Sequence, residues 1–204
     1  MKSVRNIVML TVSLAMLIGT ALAEPVHHDT KFRSVPDAKL QIRAVEYDGE
    51  VNGTLKVEIK NADKVAHSFV ATGLYFVPEG NPDTAPQRLG AVGPMRIGAD
   101  QERAQVDVPP GKTVEVALDV FCIDSHRGSP SPANAFDVGK SRMPAELSQT
   151  IETRAQVAVD TAAKTSPPAA ARPAAKAAIQ SEVWRARDAK WTKLDGEGKQ
   201  EAGK

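Results

Sequence analysis

The residue with the most chemical potential is Cys122, the one cysteine in the chain. It stands in Val120-Phe121-Cys122-Ile123-Asp124-Ser125-His126, so a carboxylate and an imidazole follow within four residues. A thiolate is a strong nucleophile when its proton can be removed. His126 is placed to shuttle that proton, with Asp124 to orient it. The second segment of interest is Ile179-Gln180-Ser181-Glu182-Val183-Trp184, in which Gln180 offers a side-chain carboxamide.

The aromatic-cysteine-aliphatic triplet, together with an aliphatic-Gln-x-x-aliphatic helix, distantly resembles the internal-thioester domains of bacterial surface adhesins. Trp184 stands four residues past the glutamine, as it often does in that family. The chain is also similar to a set of exported, largely uncharacterised bacterial proteins. These carry a C-L-x-H-like segment followed by prolines, then Q-x-A-x-W, then W-x-x-L. The matching residues are Cys122-Ile123-Asp124-Ser125-His126 with Pro130 and Pro132, then Gln180-Ser181-Glu182-Val183-Trp184, then Trp191-Thr192-Lys193-Leu194. Glu182 stands where those proteins have alanine. The resemblance implies a bond from the Cys122 sulfur to the Gln180 side-chain carbonyl carbon, with ammonia as leaving group. Amides are poor electrophiles, so the fold must press the two groups together and stabilise the developing oxyanion. An amine on a partner surface would then open the bond and become covalently attached.

Two other readings of the same residues stand beside this one. In the simpler, Cys122 is a small buried hydrophobe at the end of a core strand, Gln180 is solvated, and Trp184 and Trp191 pack the helix. In the other, His67, Cys122 and His126 form a cupredoxin-like copper set, with Asn61 and His67 on an early strand. Blue copper needs two histidines, a cysteine and a weak axial methionine. Here the nearest downstream methionine, Met143, lies beyond a proline-rich loop. His27, His28 and Asp29 read as a solvated N-terminus. Ser129 and Ser131 lack a paired base, and no glycine-rich phosphate loop precedes a helix, so hydrolase or nucleotide chemistry has no support. The expectation is a non-enzymatic protein without a cofactor.

The elements that must position these residues fall into two halves. From Leu40 to Phe121 apolar residues alternate with polar ones, most clearly at Val114, Val116, Leu118 and Val120. That period of two marks strands with one buried face. Asp48-Gly49, Asn52-Gly53, Pro78-Glu79-Gly80-Asn81-Pro82 and Pro109-Pro110-Gly111 supply turns. The segment from Ala66 to Pro78 is more continuously apolar and suits a central strand. The expected fold is mainly β: an immunoglobulin-like antiparallel β-sandwich over residues 38–125, with a C-terminal helical extension over 144–194. A flexible segment (24–37) precedes the sandwich, a Pro/Gly loop (126–143) follows it, and a disordered tail (195–204) ends the chain. Within the extension, Pro144 starts a helix that runs to about Lys164, and a second runs from Pro173 to Asp188. Residues 162–178 read equally as a linker.

Residues 1–23 carry Lys2 and Arg5, then the apolar run Ile7–Ile18, then Ala21 and Ala23. This is the order of a cleaved signal peptide, and the apolar run is shorter than the roughly 20 residues a spanning helix needs. The expected location is therefore secreted or periplasmic, without stable membrane insertion once the signal is removed. Lys2 and Arg5 are the only charges in that segment, so the chain's 26 basic residues fall to 24 against 25 acidic ones. Such a balance gives no electrostatic case for nucleic acid. The partner expected is a protein or cell-surface ligand. An odd cysteine in an oxidising compartment itself calls for an explanation.

Overall fold

The computed structural model describes residues 26–50, 52–98, 101–165, 180–189 and 192–203. The expected signal peptide, Ile179 and Trp191 lie outside the described residues. Ten strands precede the helices: β1 (Arg33–Ser34), β2 (Gln41–Tyr47), β3 (Thr54–Lys60), β4 (His67–Phe69), β5 (Tyr75–Pro78), β6 (Leu89–Ile97), β7 (Gln101–Arg103), β8 (Val106–Val108), β9 (Thr113–Cys122) and β10 (Phe136–Val138). Helix α1 spans Ala145–Thr165, and residues 180–189 are helical and are called α2. Among the described residues, no helix is long and apolar enough to cross a membrane.

The chain is mainly β with every strand pair antiparallel. One sheet runs β1-β2-β3-β9-β6-β5-β10, with β7 added on β6, and β4 pairs β8 in a second, two-stranded sheet. The large sheet curls so that its ends meet. The Tyr47 and Phe136 rings touch edge-on, 5.5 Å between centroids, and Arg33 on β1 pairs with Asp137 on β10 at 2.9 Å. Leu55, Val57 and Ile59 of β3 and Val116, Leu118 and Val120 of β9 share one inner core with Phe69, Val106 and Val108 of the small sheet.

Asn61 turns the corner between the two sheets. It is fully buried, and its amide donates to the carbonyls of Val65 (2.7 Å) and Val108 (2.8 Å). A polar residue is tolerated there because it satisfies backbone acceptors that the bend takes out of the ladder. The segment from Ala66 to Pro78 forms two strands rather than one. Gly73 breaks it, with φ at +85°, a conformation that glycine adopts without penalty.

The first half of β9 buries one face and the second half buries both. Val120 and Cys122 point into the inner core, whereas Phe121 and Ile123 meet Leu147, Ile151, Val183 and Leu194 in a second, outer core. The helices therefore cover the outer face of the sheet where β9 ends. Helix α1 starts where expected, with the Pro144 carbonyl accepting from Leu147 N at 3.0 Å. The described part of α2 overlaps the second expected helix and runs one residue past its expected end at Asp188.

Three expected irregular segments are tied down. In the N-terminal segment, Thr30 Oγ1 donates to the Ala44 carbonyl at 2.6 Å. The Pro/Gly loop contains β10, the strand that completes the large sheet. The tail expected to be disordered carries turns and a buried carboxylate, Glu201, which is 1% exposed.

Candidate functional site

Strand β9 delivers Cys122 to the end of the inner core, where its side chain is fully buried. Burial, and then the nearby negative charge of Asp124, push the thiol up to about 12. At neutral pH the sulfur is therefore an uncharged thiol.

Helix α2 brings Gln180 to the same place. Gln180 is 5% exposed, and its Nε2 donates to the main-chain carbonyl of Cys122 at 2.7 Å. Its Oε1 is buried and has no hydrogen-bond partner among the described residues. A glutamine bound for solvent would do neither, so Gln180 is a buried neighbour of Cys122. Trp184 lies one turn further along α2, packs against the inner core, and donates its indole N–H to Gln87 Oε1 at 3.0 Å. The same oxygen accepts from the Asp124 main-chain N–H at 3.3 Å. Ser125 Oγ donates to Asp188 at 2.9 Å and ties the far end of α2 to the loop after β9.

Asp124 and His126 do not form the expected dyad. Asp124 is 1% exposed and its carboxylate accepts three bonds from Arg88, at 3.0 Å from the main-chain N, 2.7 Å from Nε and 2.6 Å from Nη2. Burial alone would raise its pKa, but the hydrogen bonds and charge of Arg88 prevail and hold it below the usual carboxylate range. His126 pairs instead with Glu201 Oε1 at 2.7 Å. That oxygen also accepts from Arg127 Nε at 2.5 Å, and Glu201 Oε2 accepts from Arg88 Nη2 at 3.0 Å. The Arg88–Asp124 and Arg127–Glu201 pairs thus form one buried network joining the end of β9 to the C-terminal segment. His126 and Arg127 also line a cleft of about 450 Å³ against residues 82–85 and 198–201.

The copper set does not converge. His67 lies on β4, beyond the corner that Asn61 makes at the Thr113 end of β9, and bonds Asp63 Oδ2 at 3.0 Å. Cys122 lies at the other end of that strand, roughly 30 Å from Thr113 at about 3.4 Å per residue. Among the described residues no group of three His, Cys, Asp or Glu side chains is arranged to hold a metal ion.

Gln180 thus lies against the Cys122 main chain and Trp184 one turn further along against Gln87 and the inner core, while Asp124 and His126 belong to a charge network behind them. Gln87, Arg88 and Glu201 carry that surrounding framework and were not legible as site residues. Arg88 and Glu201 lie far from Cys122 in the chain, and Gln87 sits in a segment with no motif. Comparison with protein-family models, curated proteins and solved structures gives no match to this chain.

Proposed function

We propose that the protein is an exported, non-enzymatic binding or envelope-associated module in which Cys122 and Gln180 close an internal thioester for covalent attachment. In the first step the Cys122 S–H bond and the Gln180 C–N bond break, an S–C bond forms, and ammonia leaves with the thiol proton. In the second, an amine on a protein or cell-surface ligand attacks the thioester carbonyl. An amide links the two partners, and the Cys122 thiol returns with the amine's proton. We read the fold as an immunoglobulin-like sandwich, a reading supported by the two-stranded β4–β8 sheet sharing one core with the larger sheet. Secretion or a periplasmic location follows from the signal-like residues 1–23.

The observation that carries this reading is the burial of the Gln180 carboxamide against Cys122, with its oxygen left unpartnered. A buried acceptor without a donor costs about 1–3 kcal/mol, and a donor brought to this oxygen is what the developing oxyanion would need. A second reading, a plain interaction module without a reactive bond, is favoured by the Cys122 thiol being pushed up to about 12, which leaves little thiolate to attack.

Intact mass decides between them. The exported protein is purified without amines or reductant, beside Cys122→Ala and Gln180→Ala. A wild-type mass low by one ammonia, with both variants at full mass, supports the thioester. A full wild-type mass, with no conversion of Gln180 to glutamate, leaves the plain module.

A further inference from the structure

We propose that Gln87 is a positioning residue for the thioester: it fixes which face α2 turns to β9 and so holds the Gln180 carboxamide at Cys122. The inference rests on the covalent reading above and names how that site is assembled.

Gln180 and Trp184 are one helical turn apart and share a face of α2. The Gln180 end of this face reaches the Cys122 carbonyl, and the Trp184 end reaches Gln87. Gln87 is 2% exposed and directly precedes Arg88 and Leu89, and Leu89 is the β6 partner of Cys122 in the ladder. Its own backbone is held, with N donating to the Gly128 carbonyl at 2.9 Å. Its Oε1 accepts from Trp184 on one side and from the Asp124 N–H, two residues past Cys122, on the other. One oxygen thus ties the helix that carries the electrophile to the loop just after the nucleophile. Apolar packing of Val183 holds α2 against the sheet but is non-directional. The Gln87 bond supplies the direction, and misplacement of a reacting group by about 1 Å costs on the order of 100-fold in rate.

The test is refolding of the full chain, recovered from insoluble protein at full mass with the bond not yet closed, from denaturant in amine-free buffer, with intact mass followed over time. It uses Gln87→Leu, Trp184→Phe and the double variant. Gln87→Leu keeps a branched side chain one atom shorter and removes the acceptor, whereas Trp184→Phe keeps an aromatic ring and removes the donor. Trp184→Phe keeps the test valid should Gln87→Leu not fold. Loss of ammonia should slow by about 100-fold in each single variant, and the double variant should be no slower than Gln87→Leu, because both single variants break the Trp184–Gln87 bond and Gln87→Leu also removes the acceptor of the Asp124 N–H. Folding itself is monitored by thermal unfolding. Variants that fold and lose ammonia at the wild-type rate overturn this inference while leaving the thioester standing. A wild-type chain that stays at full mass overturns the covalent reading and this inference with it.

Discussion

The Gln180 side chain and the Cys122 main chain are joined by a buried hydrogen bond of 2.7 Å, with Nε2 donating to the carbonyl. That geometry suits a carboxamide and no ionised group. Gln180→Glu, the residue that thioester hydrolysis would leave, places a carboxylate against a carbonyl oxygen. Burial and this repulsion raise its folded pKa above the unfolded value near 4.3. A group with a raised folded pKa contributes its full stability below the unfolded pKa and loses it as pH rises. Gln180→Glu should therefore match wild type near pH 4 and fall below it by about 2 kcal/mol or more by pH 7. Urea unfolding at the two pH values checks this, and parallel curves for both proteins would count against the buried placement of the side chain.

The Cys122 thiol, pushed up to about 12 by burial and by Asp124, should resist alkylation. At pH 8 the folded chain should react with iodoacetamide about 1,000-fold more slowly than a free cysteine, since the thiolate fraction falls tenfold per pKa unit. Unfolding in guanidinium should restore the ordinary rate, unless Cys122 is held in the proposed thioester. The sign for stability is the same as for any acid with a raised folded pKa. The contribution is intact below the ordinary thiol range, near 8.5, and is lost as pH climbs towards 12. Rapid alkylation of the native chain at pH 8 would show that the sulfur is open to solvent.

Asp124 gives the opposite pH dependence. Arg88 holds its carboxyl below the usual range, so its stabilising contribution is present above about pH 3.9 and disappears as pH falls through the folded value. Asp124→Asn should cost about 3–5 kcal/mol at pH 7, because it removes the carboxylate that holds the fully buried Arg88 at both oxygens and leaves it only the single contact with Glu201. The variant should also lose much of the acid sensitivity between pH 4 and pH 2. Glu201→Gln should also destabilise at pH 7, to a smaller degree, since Arg88 retains Asp124. Thermal midpoints over that pH range give the comparison. An unchanged midpoint for Glu201→Gln would mean that the C-terminal segment is not tied down by this network.

What the chain discloses before folding follows from how local each signal is. The alternations of β3 and β9 are visible because polar residues on one face contrast with apolar residues on the other. Cys122 and Gln180 are visible because each sits in a short motif. Strand β6 is not legible, since Gly90, Gly93 and Pro94 read as loop residues. Strand β10 is short and sits among prolines and glycines, and it forms because β5 offers it an edge. The Arg88–Asp124–Glu201 network is invisible for a different reason. Its members are 36 and 113 residues apart in sequence, and each alone looks like an ordinary surface charge. The expected pairing of Asp124 with His126 used sequence proximity, whereas the fold gives each a distant partner.

Gly90, a poor strand former within β6, is tightly constrained. Gly90 pairs with Phe121 beside Cys122 in the ladder. A Cβ at position 90 would stand 2.9 Å from Ile123 Cγ2 and 3.2 Å from Met143 Cε. The Met143 contact involves the end of a flexible side chain and can yield. The Ile123 contact involves a branch fixed close to the β9 backbone and cannot. Gly90→Ala should therefore destabilise by about 1–3 kcal/mol, the usual cost of overpacking a filled core. It should do so by pushing the end of β9 away from β6, at the point where Cys122 meets Gln180. Ile123→Leu moves the branch one carbon further from the backbone and removes Cγ2. Combined with Gly90→Ala it should recover much of the loss, a non-additive result expected only for residues in direct contact. Chemical denaturation of the two single variants and the double variant measures the coupling. Strict additivity would place the strain somewhere other than between β6 and the end of β9.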